Sequence, residues 1–376
     1  MRNLELGTNG GILDLDHRNC GDRAPGASRR QFLKSLGFLG AGSRLSPDRL
    51  LGRLGQAASV SGTVKPYRID VHHHLLSPGY MSRTTRFAEG GARAGSPLQH
   101  WTPATAVEEM DRTGIATAVL SIPVGGMRFE KDEVTRAVVR DNNEFGAKMV
   151  KDYPGRFGLL ASLPLPDQDA SLKEIEYAYD VLKADGIALV TDYDDKWTGD
   201  PAYVPAFEEL NRRKAVVFVH PTAPTCCMKL IPQVSEGWLE YDFDTARAIV
   251  SLLVNGAFEK FPNVRFIFTH SGGAMPVLTG RIDRMFSRET AGDRAPNGAA
   301  AEIKKLYFDI ASMTNAAALN ALVAVSPISQ ILFGTDYPFV KVAETTDGLD
   351  RSTFSKNDLR AINRDNALRL FPRLKA

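Results

Sequence analysis

Cysteine is scarce in this chain of 376 residues: there are three, Cys20, Cys226 and Cys227, and the last two are adjacent. That spacing excludes both a disulfide framework and a Cys-x-x-Cys zinc knuckle. No uninterrupted apolar run reaches the length of about 18 residues that a membrane-spanning helix needs. An excess of one charge is missing as well. Lys and Arg number 46 against 44 Asp and Glu, a formal net charge of +2, so the chain carries no basic field for nucleic acid. No glycine-rich dinucleotide fingerprint follows the first strand candidate, which argues against a doubly wound open sheet. No internal repeat stands out. What is present is 43% hydrophobic residues, with 32 Gly and 21 Pro dispersed along the chain. That composition describes a globular protein long enough to bury a sizeable core.

The first sixty residues differ from the rest. They hold nine Lys and Arg against five Asp and Glu, which leaves 37 against 39 in the body. Within them Ser28-Arg29-Arg30-Gln31-Phe32-Leu33-Lys34 precedes a short apolar run, a pattern that resembles a bacterial twin-arginine export signal. The run is cut by Arg44, Asp48, Arg49 and Arg53, and Ala57-Ala58-Ser59 stands where a cleavage site is expected. Without export, the same stretch reads as a basic amphipathic tail on a cytoplasmic protein. The expectation is a leader over 1–60, with a periplasmic or exported destination reached through the twin-arginine machinery. That machinery carries proteins already folded. A single domain over 61–376 follows.

From residue 61 onward, short runs of β-branched and aliphatic residues alternate with helical patterns. Strands are predicted over 67–72, 117–122, 157–164, 186–190, 215–220, 264–270, 306–310 and 330–334. Most are continuous apolar runs, as in parallel strands buried on both faces. Helices are predicted in the seven gaps, over 104–113, 134–151, 171–184, 205–214, 244–259, 276–286 and 316–325. A final helix over 356–370 is ended by Pro372. Eight β-then-α units point to an α/β fold of the (β/α)8 TIM-barrel type, in which chemistry sits at the carboxyl ends of the strands.

The histidines obey that rule. Of seven, His17 lies in the leader and His100 in a loop, whereas His72, His73 and His74 close the first predicted strand, His220 the fifth and His270 the sixth. Side chains alternate along a strand, so His72 and His74 point one way and His73 the other. The pair forms a two-nitrogen metal clip. His220 adds a third nitrogen, and Asp336, just beyond the eighth strand, adds a carboxylate. Three imidazoles and a carboxylate suit one divalent ion, Zn²⁺ before Mn²⁺. His73 is expected to pack or to bond locally.

Ile69-Asp70-Val71-His72-His73-His74 resembles the Asp-x-His-x-His opening of the amidohydrolase superfamily. Val219-His220-Pro221, Phe268-Thr269-His270-Ser271-Gly272-Gly273 and Gly334-Thr335-Asp336-Tyr337-Pro338-Phe339 narrow the resemblance. They are similar to the amidohydrolase-related family containing α-amino-β-carboxymuconate-ε-semialdehyde, γ-resorcylate and 6-methylsalicylate decarboxylases. Met110-Asp111, Gly114-Ile115, Pro154-Gly155-Arg156-Phe157 and Asn366-Ala367 support it, and the match spans 67–372. The resemblance implies that His72, His74, His220 and Asp336 bind metal, that His270 is the catalytic histidine beside it, and that the protein is a homodimer. It also implies a single metal, because Ala188-Leu189-Val190-Thr191 lacks the lysine that two-metal relatives carbamylate.

The leading expectation is a metal-dependent, non-oxidative decarboxylase of a small aromatic or enol-type carboxylic acid, with Asp336 or His270 as proton donor and no organic cofactor. Hydrolysis of a lactone, amide or ester by the same site is the alternative, and a metal-binding barrel without activity is a third. Trp101, Trp238 and Phe243 either line an aromatic pocket or pack in the core. Arg281 and Arg288 either bind a carboxylate or face solvent or a second subunit. Arg93 is the nearest counterpart of an arginine in the semialdehyde decarboxylase. Cys226 and Cys227 have no histidine base of their own and are expected in a packed loop. The stretches after His74 and after Pro221 are the candidate lids.

Overall fold

The computed structural model describes residues 67–83, 100–121, 126, 128–129 and 131–375. The leader, with its paired arginines, and Arg93 lie outside the described residues.

Eight parallel strands alternate with helices. They are β1 (Arg68–His74), β2 (Ile115–Ser121), β3 (Phe157–Ser162), β4 (Gly186–Val190), β5 (Val216–His220), β6 (Arg265–Phe268), β7 (Tyr307–Asp309) and β8 (Ile331–Leu332). Each pairs with its sequence neighbour in register, in the order of the chain. The ring closes between its ends. Val71 donates to Phe333 O at 3.0 Å, Asp336 to His72 O at 2.9 Å and His74 to Tyr337 O at 2.8 Å. Strands β3, β4 and β5 are buried throughout on both faces and the others nearly so, which is why most read as unbroken apolar runs.

The helices that follow the strands are α1 (Pro103–Thr113), α2 (Asp132–Asp152), α3 (Gln168–Asp180), α4 (Val204–Arg212), α5 (Glu240–Val254), α6 (Met275–Met285), α7 (Ala316–Val325) and α8 (Val342–Asp350). Local chemistry starts and stops them. Thr102 caps α1 through a reciprocal bond pair with Thr105, Pro103 takes the first helical position, and Gly114 ends it at φ 75°. On α4 the buried side is Ala206, Phe207 and Leu210, while Glu209 and Arg212 pair on the other. Phe218, Phe268, Phe308 and Phe333 are fully buried in the core, each contributing about 1.5–3 kcal/mol by leaving water.

Three expectations need correction. A helix the sequence did not announce, α8, precedes the pattern over 356–370, and it is that later pattern which packs on the eighth strand, with Asn366 donating to Ile331 O and Phe333 N to Ile362 O. That later pattern is real but broken, with Lys356–Arg360 and Asn366–Leu370 joined through a π-helical turn at Ala361–Asp365. The sixth strand ends at Phe268, so His270 stands two residues beyond it. The adjacent cysteines are not packed: Cys226 is exposed and Cys227 half-buried.

Candidate functional site at the barrel mouth

Four side chains from three strand ends converge. His72 and His74 come from the tip of β1, His220 from the last residue of β5, and Asp336 from the turn after β8. One ligand atom from each lies within 4.8 Å of the others. The Nε2 atoms of His72 and His74 are 3.1 Å apart, and Asp336 Oδ1 lies 2.9 Å from the second and 3.4 Å from the first. Four donors at about 2.1 Å around a tetrahedral Zn²⁺ stand about 3.4 Å from one another. The donors here are close enough together to share one divalent ion.

Hydrogen bonds set which ring edge each imidazole presents. His220 Nδ1 donates to Pro221 O at 2.8 Å, which leaves its Nε2 with the lone pair. That nitrogen is buried and has no hydrogen-bond partner among the described residues. An orphaned acceptor in a buried place is costly unless a cation takes it. His72 Nδ1 donates to Asp309 Oδ2 at 3.0 Å, which likewise aims Nε2 at the cluster. Asp309, the last residue of β7, also accepts from His270 N at 3.1 Å and Ala311 N at 3.0 Å through Oδ1. This carboxylate was not foreseen from the sequence. The signal available was a lone acid ending an apolar strand.

Asp70 has a structural part. Its carboxylate accepts from His72 N and Thr335 N, both at 3.0 Å, from Thr335 Oγ1 at 2.6 Å and from His73 Nδ1 at 3.1 Å. It ties β1 to the chain beyond β8. His73 thus bonds locally and packs against Tyr337, on the side away from the cluster, as strand alternation requires. Gly334 has to be glycine: a Cβ there would stand 2.8 Å from His72 Cβ and 2.9 Å from Asp309 Cβ. His270 at φ 52° and Asp336 at φ 64° occupy the left-handed region that non-glycine residues rarely adopt.

The charges are interdependent. Burial would push the His72 imidazole below its ordinary pKa, but the carboxylates of Asp309, Asp336 and Asp70 carry it above. Burial and the neighbouring imidazoles hold His220 well below. Burial raises Asp336, yet the hydrogen bond from His74 and the charges of His72 and His270 bring it below the usual carboxylate range. His220 therefore stays neutral and Asp336 anionic, whereas the surrounding carboxylates favour the protonated form of His72, whose proton a bound cation would displace.

His270 sits beside the cluster, its ring centroid 5.1 Å from that of His72 and 5.7 Å from that of His220. Its Nδ1 donates to Ala311 O at 3.1 Å, leaving Nε2 on the opposite edge of the ring to take or give a proton. His72 and His74 are 0% exposed and His220 1%, against 7% for His270 and 9% for Asp336. A small molecule entering the mouth meets the last two. Half-buried Asp242, on α5, is a further residue missed in the sequence. Burial raises its pKa and the His270 charge opposes the rise. Phe339 meets the His74 ring edge-on at 5.0 Å, and Tyr241 lies 6.3 Å from His220. Trp101 packs on the core beside Phe145, 6.5 Å between rings. Phe243 and Trp238 are exposed, as are Arg281 on α6 and Arg288 just beyond it.

Residues 69–373 match the amidohydrolase family model. The chain is 33% identical over 328 residues to the decarboxylase yanB of Aspergillus niger, covering 82% of this chain and 88% of that protein. It is 33% identical over 318 residues to the 6-methylsalicylic acid decarboxylase of Penicillium expansum, covering 82% and 97%. Among solved structures, an amidohydrolase II superposes with a TM-score of 0.75 at 25% identity, covering 81% of this chain and 99% of the other. With these matches over most of its length, the chain belongs to the amidohydrolase family.

Proposed function

We propose that the protein is a metal-dependent, non-oxidative decarboxylase of an aromatic carboxylic acid bearing a neighbouring hydroxyl, of the salicylate type. The observation that carries this reading is the pairing of a three-imidazole, one-carboxylate cluster with two accessible proton-transfer groups, His270 and Asp336. The decarboxylases among its relatives favour loss of CO2 over hydrolysis on the same scaffold.

His72, His74, His220 and Asp336 would hold the ion, which when bound supplies Lewis-acid stabilisation to negative charge on the substrate's oxygens. His270, held by Ala311 O and Asp309, presents Nε2 toward the space above the cluster. It delivers a proton to the ring carbon bearing the carboxylate, directly or relayed through the Asp336 carboxylate. The bond to the carboxylate carbon then breaks, CO2 leaves, and its electron pair restores the aromatic ring. Incubation with 6-methylsalicylate, other hydroxybenzoates and a set of lactones tests the reading. CO2 release from a hydroxybenzoate supports it, whereas lactone opening without CO2 release replaces it with hydrolysis.

Zn²⁺ is the proposed ion, because three nitrogens and one oxygen in this spacing suit it. Elemental analysis should find one per chain, and manganese in its place would overturn that choice. A homodimer is proposed too. The outer flank of α6 leaves Val277 75% and Met285 66% exposed, with Arg281 between them and Arg288 beyond. Sedimentation should give twice the chain mass.

A further inference from the structure

Cys226 and Cys227 lie in a single 3-10 turn, Thr225–Cys227, on the segment that leaves His220. Both are free thiols, and their sulfurs are 2.7 Å apart. The turn is held from two sides. Thr225 N donates to Asp195 Oδ1 at 2.8 Å, and Arg247 Nη2 lies 3.8 Å from Cys227 Sγ. The anchors keep the thiols together at an accessible surface, where residues 228–230 are also exposed. Nothing in the proton chemistry proposed above uses them.

We propose that Cys226 and Cys227 form a dithiol site that closes to a vicinal disulfide by exchange with small-molecule disulfides and, when reduced, captures trivalent arsenicals. Three features support it. The Arg247 guanidinium puts a cation beside the sulfur that must carry negative charge when it attacks. Cys226 keeps its proton, since its hydrogen bond to Cys227, aided by burial, raises its pKa to about 11. Adjacent Cα atoms are about 3.8 Å apart, short of the range of about 4.4–6.8 Å that ordinary disulfides span, so the closed form is strained and readily reduced. A bond of that kind suits reversible exchange rather than structural stapling.

The step balances. The Cys227 thiolate attacks one sulfur of the small disulfide, breaking its S–S bond and releasing one thiol. Cys226 then loses its proton and attacks the Cys227 sulfur of the mixed disulfide, and the second thiol leaves. Two protein thiols are oxidised and one disulfide is reduced to two thiols.

The test uses the full chain with Cys20→Ser, so that only this pair remains. After oxidised glutathione, the intact mass should fall by two hydrogens, and the peptide carrying both cysteines should resist alkylation until reduced. Phenylarsine oxide should bind one per chain, losing its oxygen as water while two S–As bonds form. Cys226→Ser or Cys227→Ser should weaken it on the order of 10²-fold, because the second bond forms at high effective concentration. Glutathione left on either cysteine, disulfides between chains, or undiminished arsenical binding in the serine variants would each overturn the site.

Discussion

His72, His220 and His270 at the barrel mouth are each held through Nδ1, which turns Nε2 to the opposite edge of the ring, and the residue that arranges two of them, His72 and His270, is Asp309. Its two oxygens divide the work, Oδ2 for the His72 ring and Oδ1 for the backbone of His270 and Ala311. Asp309→Asn preserves shape but places an amide N–H or a weaker carbonyl against His72 Nδ1. An N–H there forces the His72 proton onto Nε2, the nitrogen that should bind metal. We expect metal affinity to fall about 10- to 100-fold, read by competition with a chelator. His270→Ala is expected to differ. It should retain metal and lose turnover by on the order of 10²-fold or more, while His72→Ala and His220→Ala lose metal and activity together. Metal content measured beside turnover separates these cases, and a metal-free His270→Ala would remove the role given to His270.

The elements beyond the strand tips carry their own tensions, and the short antiparallel ribbon after β4, Asp192–Tyr193 paired with Lys196–Trp197, has a clear one. Asp192 there is 8% exposed, and its Oδ2 has no partner among the described residues. Burial, and after it the charge of Asp244, raises its pKa to about 7. The folded protein therefore keeps a proton that the unfolded chain releases near pH 4. Stability from this group is full below about pH 4, falls as pH rises, and is lowest above about 7. Asp192→Asn removes the penalty. The variant should exceed the parent by roughly 2 kcal/mol at pH 8, half of the full three-unit displacement because the amide is itself poorly satisfied. The gap should shrink at pH 5, as chemical denaturation at the two pH values would show. The elements themselves were legible to different degrees. Parallel strands buried on both faces announce themselves as apolar runs, and period-two alternation was enough to sort His72 and His74 from His73. α8 was hidden because Val342-Ala343-Glu344-Thr345-Thr346-Asp347-Gly348-Leu349-Asp350 mixes β-branched and polar residues with a glycine, and only packing makes it helical. Asp309 and Asp242 were hidden because their partners lie 237 residues away in one case and on another element in the other. No local pattern reports such contacts.

At the scale of the whole molecule, the cluster joins residue 72 to residue 336, so it exists only once the barrel has closed. Metal bound there favours the folded state by mass action, about 2.7 kcal/mol at a hundredfold excess over its dissociation constant. Stripping it with a chelator should lower the melting temperature by roughly 5 °C, and returning the ion should restore it. The same dependence bears on where the protein works. A chain threaded unfolded across a membrane would have to find its metal on the far side, whereas the twin-arginine route passes a protein that has already folded and loaded. The sequence Ser28-Arg29-Arg30-Gln31-Phe32-Leu33-Lys34 is the feature that would direct it there. The expected result in fractionated bacterial cells is a shortened, metal-containing form in the periplasm. Replacing both arginines, Arg29→Lys with Arg30→Lys, should trap the full-length, metal-loaded protein in the cytoplasm. Full-length protein confined to the cytoplasm with both arginines intact would instead make the leader a basic tail with no part in export.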